Sequence, residues 1–229
     1  MKKTEFIIVR YLFMKVKIIY LILILIIAVI FSSGCIDTLH YVGKDGKKVN
    51  VSFRVTLQKM IFELFGEMSG EEVDDDYFRE NFGIEKDDFK SELPEGIDVK
   101  LEEINTELDY GFEAKLTVTE DVIKKLLKEN IDIPFVPIRK GKGLRILIPC
   151  PDYDSAEAEE DEAVAAFLAS AKYRLVISKS FIPKIENIFI KSKNETLTPT
   201  LMDFHEVYMV EFPMVLWFLS DDYIEVIIY

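Results

Sequence analysis

The sequence predicts an α+β fold: a largely antiparallel sheet with several packed helices, preceded by a signal or anchor segment. Three observations carry this. Strand-like stretches outnumber helical ones, and the two do not alternate regularly as a doubly wound parallel sheet would require. The charge reverses sign where an apolar run ends. Lys2, Lys3, Arg10, Lys15 and Lys17 stand against Glu5 in the first 35 residues, a net +4, so the other 194 carry −17 of the chain's total of −13. Such a break marks a targeting segment attached to an acidic domain.

The elements follow in order. Residues 18–31 read IIYLILILIIAVIF, fourteen residues without a charge. As a helix they would cover about 21 Å, short of the ~30 Å hydrocarbon core but right for the apolar region of a signal peptide. Lys15 and Lys17 precede the run and Ser32, Ser33 and Gly34 follow it, leading to Cys35. Met14 is an alternative start, since residues 14–35 alone form a complete signal. Residues 36–48, with Gly43 and Gly46, are expected to be a polar tether.

From residue 49 the chain is expected to be one extracytoplasmic domain running to residue 229. Val49, Val51, Phe53, Val55 and Leu57 alternate with Asn50, Ser52, Arg54 and Thr56, which predicts a half-buried strand. Met60, Ile61, Leu64 and Phe65 then change to helical spacing over 58–68. Residues 71–90 are acidic and helical in pieces, anchored by Tyr77, Phe78 and Phe82. Residues 97–104 and 112–118 read as a hairpin, with Asp109, Tyr110 and Gly111 between its strands or in a bulge. Residues 119–130 form the clearest helix: Thr119 caps it, Glu120 and Asp121 open it, and Lys124, Lys125 and Lys128 close it. Its buried stripe is Val122, Ile123, Leu126 and Leu127. A strand at 144–148, a helix at 155–171 and strands at 173–178, 187–191, 206–212 and 223–229 complete the reading. Pro213 and the flanking acids exclude a second membrane span near the apolar stretch 210–218.

The Ser32-Ser33-Gly34-Cys35 ending resembles the prokaryotic lipoprotein signal, with Ser32 where that family usually has Leu. The resemblance implies cleavage before Cys35 and a lipid on its thiol. A single acyl chain holds a domain only marginally, whereas the two-chain attachment of that family holds it stably. An uncleaved single-span anchor, a simple secretory signal and a pilin-type signal are the alternatives. The order of anchored cysteine, first strand, helical insertion and strand-rich end is similar to the LppM-type lipoprotein domain, which implies lipid binding.

The remaining candidates for chemistry are sparse. A charge of −17 argues against nucleic-acid binding, which needs clustered cations. His40, placed in the tether, and His205, placed at a strand start, read as surface or capping residues. Cys150, between Pro149 and Pro151, reads as a buried small hydrophobe. The acids at 71–76 and 157–162, with Asp152 and Asp154, lack the spacing and glycine of a Ca²⁺ loop. Residues 139–143 lack the GxxxxGK[ST] spacing of a phosphate loop. Asn194 and, less favourably, Asn50 match the glycosylation sequon. No catalytic residue, metal site or cofactor is expected. The expected function is a binding module on the outer face of the cytoplasmic membrane, for a lipid or apolar ligand or an envelope partner. A surface hydrolase using carboxylates or calcium and a structural envelope component are the alternatives.

Overall fold

The computed structural model describes residues 36–229 apart from 71, 85, 92, 142, 151–170, 193, 194, 219 and 221. Cys35, Asn194, the acids at 152–162 and the expected helix at 155–171, but for its last residue, lie outside the described residues. In chain order the elements are β1 (Ile36–Asp45), β2 (Lys48–Gln58), α1 (Lys59–Ser69), α2 (Asp75–Phe82), α3 (Lys86–Ser91), β3 (Asp98–Asn105) and β4 (Asp109–Thr119). Then follow α4 (Glu120–Lys128), β5 (Ile138–Lys140), β6 (Gly143–Pro149), β7 (Lys172–Ser178) and β8 (Ile188–Lys191). The last are β9 (Thr196–Leu197), β10 (Thr200–Asp203), β11 (Val207–Pro213), α5 (Val215–Phe218) and β12 (Tyr223–Ile228).

The described chain is sheet-rich, with two sheets dominated by antiparallel pairing and few helices. One sheet runs β10-β11-β7-β1-β2-β4-β3 and the other β5-β6-β12-β8-β9. Within the named strands only β1 and β7 run parallel, with Thr38 opposite Tyr173 and Tyr41 opposite Val176. Alternation drives the layering. Val49, Val51 and Phe53 of β2, Leu116 and Val118 of β4, and Tyr173, Leu175 and Ile177 of β7 turn inward. There they share one buried cluster with Ile146 and Ile148 of β6 and Ile224, Val226 and Ile228 of β12. Each such side chain removed from water contributes about 1.5–3 kcal/mol.

Residues 36–48 are not a tether. They form β1, the central strand of the larger sheet, and its turn into β2, with Ile36 opposite Leu57 and Asp45 opposite Lys48. Ile36, Thr38, His40 and Val42 are buried while Asp37, Leu39 and Tyr41 face outward. Gly46 takes φ +57 at the first position of the two-residue turn, a conformation glycine adopts without steric cost.

The helices obey local signals. In α4, Thr119 accepts a hydrogen bond from the Val122 N–H, and Leu126 is the buried member of the expected stripe. Asp74 caps α2 through the Tyr77 N–H. Phe78 of α2 packs on Tyr110 with ring centroids 5.5 Å apart, pinning the helical insertion to the start of β4. Asp109, Tyr110 and Gly111 belong to β4 itself and pair with Gln58, Leu57 and Thr56. At Gly111 a Cβ would sit 2.0 Å from the Val55 carbonyl oxygen, so the close approach of β2 requires glycine there.

Candidate functional site

Two places concentrate chemistry: the centre of the sandwich and the outer face of the larger sheet. At the centre lies His40, fully buried rather than exposed. Its Nε2 lies 3.0 Å from the Phe135 carbonyl oxygen and its Nδ1 3.0 Å from the Tyr173 hydroxyl. A carbonyl can only accept, so neutral His40 donates from Nε2, and Nδ1 accepts from the Tyr173 O–H. Burial depresses its pKa from 6.5 to about 4, with the bond to Phe135 opposing the shift. The ring is therefore uncharged near neutrality. Phe135 itself takes φ +64, a conformation that costs a non-glycine residue about 1–3 kcal/mol. Its N–H bond to Leu147 and its carbonyl bond to His40 hold it there.

Aromatic rings close this centre. Phe53 stands 4.7 Å from Phe135, 6.1 Å from Tyr173 and 6.0 Å from Trp217, and Tyr173 stacks on Phe212 at 4.9 Å. Cys150 is half-buried near this packing, and burial pushes its thiol up to about 11, against a favourable contact from Ser220. A thiol so protonated is a poor nucleophile. The arrangement fixes the two sheets on one another, with the ring nitrogens of His40 both committed to internal bonds.

The outer face of the larger sheet is different. Register aligns Met202, Met209, Val176 and Tyr41 in one row across β10, β11, β7 and β1, with Leu39 in the next row of β1. Tyr41 and Leu39 are exposed. The Tyr41 ring lies over Gly43, where an added Cβ would come within 2.5 Å of its hydroxyl oxygen. Fixed charges border this apolar row. Arg174 pairs with Asp37 and, through Nε, with Glu211 at 2.9 Å, and Lys172 reaches Glu211 at 3.5 Å. On the β2-β4-β3 side Lys115 bridges Glu102 and Glu113 at 3.0 and 3.1 Å. Ser52 donates to Glu113, which, with the Lys115 pairing, holds that carboxyl below its ordinary range despite partial burial. Exposed Tyr41 and half-buried Met202 and Met209 beside an ordered Arg174 match the residue types enriched at protein-binding surfaces.

The other sequence candidates separate. His205 is exposed in the β10–β11 turn, ahead of the strand it was expected to begin. Of the acids at 71–76, Asp74 caps a helix, Asp75 pairs with Lys59, and Asp76 pairs with Arg79. Lys59 holds Asp75 well within the ionised range by its hydrogen bond, with Asn105 adding a second. Among the described residues no group of three or more His, Cys, Asp or Glu is placed to hold a metal ion. Arg139 and Lys140 belong to β5 and Gly143 opens β6, with Lys140 opposite Gly143. The Asn50 amide oxygen accepts from the Thr117 hydroxyl at 3.1 Å on the half-buried outer face of β2. The row of Met202, Met209, Val176 and Tyr41 draws on four strands, and only the register joins them. Among the described residues no helix is long and apolar enough to cross a membrane. The chain matches no family model, no curated protein and no solved structure.

Proposed function

We propose that the protein is a membrane-anchored α+β binding domain. Cys35 carries the lipid that holds it on the outer face of the cytoplasmic membrane, and the outer face of the seven-stranded sheet receives an envelope protein. One observation carries the anchor: Ile36, the residue directly after the SSGC ending, is already a buried residue of the central strand. A cut before Cys35 therefore keeps every described residue of the sheet, while a cut even two residues later would begin to strip β1. An uncleaved anchor would enter the fold at the same residue.

The binding face is supported by the partly exposed apolar row, with Tyr41 exposed on it, and by its ordered charged border. A lipid or other apolar ligand seated between the sheets would have to displace Phe53 together with Tyr173 and Phe135, both of which are in ring contact with it. Native interiors resist such displacement because they are packed as densely as organic crystals.

The test has two parts. Intact mass and membrane fractionation of the chain from its native host should give a species starting at Cys35 with added lipid mass, and a Cys35→Ser variant should lose both. A photo-crosslinker in place of Tyr41 should then give a discrete adduct with an envelope protein, and one in place of Lys124 on α4 should not. Retention of residues 15–31 in the mature mass refutes lipidation; indistinguishable crosslinking at the two positions refutes the face.

A further inference from the structure

We infer that the end of the sandwich where the chain enters β1 is a membrane-contacting surface, with Leu108, Met60 and Leu64 as its apolar contacts. The inference rests on the anchored reading above and adds to it an orientation. Without a tether, the point of attachment and the folded body cannot be far apart. Consecutive Cα atoms are about 3.8 Å apart, so a lipid on Cys35 is fixed one residue from Ile36. The body must meet the bilayer on whichever side surrounds that residue.

The register says which side that is. Ile36 pairs with Leu57, and Leu57 pairs in turn with Tyr110. Two residues further along, the Lys59 N–H bonds to the Leu108 carbonyl at 2.9 Å, joining the start of α1 to the β3–β4 turn. Adjacent strands lie about 4.8 Å apart, which puts the attachment point roughly 10 Å from the Leu108 backbone.

That side carries large apolar side chains that no described residue covers. Leu108 is 70% exposed, the highest value of any large hydrophobic residue described, and Met60 follows at 59%. Met60 and Leu64, the latter 45% exposed, lie four residues apart on one face of α1. The Leu108 side chain is held outward by a rigid turn: Thr106 Oγ1 accepts from the N–H groups of Leu108 and Asp109 at 3.3 and 2.9 Å, and the Thr106 N–H bonds to the Asp109 carbonyl. An apolar residue at a tightly specified hairpin tip favours an apolar neighbour, and attachment at Ile36 brings the bilayer to it. Glu63, Glu67 and Glu107 are exposed around this group. Their charge limits the contact to shallow seating and favours zwitterionic over anionic headgroups.

The test uses the full chain, purified from membranes and reconstituted into phosphatidylcholine vesicles with and without bromine on the acyl chains. Three variants carry an added tryptophan beside the native Trp217: Leu108→Trp, Met60→Trp and, as the distal control, Phe204→Trp. Phe204 lies in the β10–β11 turn beyond Asp203, whose partner Tyr208 aligns through Ile177 with Val42. That is about 20 Å along β1 from Ile36 at strand rise. The expected result is bromolipid quenching of the added emission by twofold or more for Leu108→Trp and Met60→Trp and none for Phe204→Trp. Vesicle-bound chain without quenching at either proximal site, or with equal quenching at all three, overturns the contact surface and leaves the anchor standing. Wild-type chain that washes from the vesicles overturns the anchor, and the contact with it.

Discussion

Acid should destabilise this domain in large part through one side chain, His40. His40 has no access to water, and its folded pKa is about 4 against an ordinary 6.5. Between those values the unfolded chain binds a proton that the folded chain refuses, so stability falls as pH falls. The sign is that of a depressed group: its effect is absent above pH 6.5, grows through the interval and saturates below about 4. At about 1.4 kcal/mol per tenfold, the loss is about 2 kcal/mol at pH 5 and approaches 3 kcal/mol at pH 4. Protonation also turns Nδ1 into a donor facing Tyr173, whose hydroxyl must then rotate to find another acceptor in a wall of aromatic rings.

The perturbation is His40→Gln, which does not titrate and can still place an amide N–H toward Phe135 and an oxygen toward Tyr173. Trp217, the single tryptophan, stands 5.9 Å from the Tyr173 ring and reports unfolding of this region directly. Urea unfolding followed by its emission, from pH 4 to 8, should find the variant about 1–2 kcal/mol less stable at pH 7 through imperfect bonds. Between pH 7 and 4 the wild type should lose about 3 kcal/mol more than the variant, since carboxylate titration is common to both. Parallel profiles would refute the reasoning, for they would mean that the folded state accommodates imidazolium at no cost.

Two further outcomes follow from local geometry. Thr119→Ala removes the acceptor for the Val122 N–H at the start of α4 and should lower stability by about 1 kcal/mol in the same urea assay, while Thr119→Ser should recover most of it. Cys150, with its thiol at about 11, should alkylate with iodoacetamide at pH 8 about a hundredfold more slowly than free cysteine, measured in the Cys35→Ser chain so that it is the only thiol.

What could be read from the sequence was whatever local pattern alone determines. β2 showed itself because Val49, Val51 and Phe53 alternate with polar residues, and α4 because cap, charges and stripe agree over one short run. β1 was hidden because its inward positions are Ile36, Thr38, His40 and Val42, two of them polar, so a hydrophobic alternation is only half present. The signal that would have found it is Gly46 followed by Lys47, a two-residue hairpin turn with glycine first, immediately before the β2 strand. His40 was misplaced for the same reason. Its partners Tyr173 and Phe135 lie 133 and 95 residues away, and nothing near it in the chain marks a buried polar contact. The outer apolar row was equally illegible, since Met202, Met209, Val176 and Tyr41 become neighbours only when four strands are in register.

The position of β1 gives the anchor a structural consequence. This strand alone joins β2-β4-β3 to β7-β11-β10, so the larger sheet exists only if the chain is intact from Ile36 onward. Its parallel partner β7 arrives more than 130 residues later, as the Thr38 bond to the Lys172 carbonyl shows. Closing so long a loop is slow compared with forming the β1–β2 and β3–β4 hairpins, which need only local contacts. In an exported, anchored chain the first hairpin would therefore form beside the bilayer while β7 was still unpaired. The end of the sheet next to the membrane would be decided before the sandwich closed, and the side chains that end presents would be set by β2, α1 and the β3–β4 turn rather than by the carboxyl-terminal strands. Leu108 and Met60 belong to that early-formed half, so the proposed contact with lipid and the start of folding would lie at the same end of the molecule.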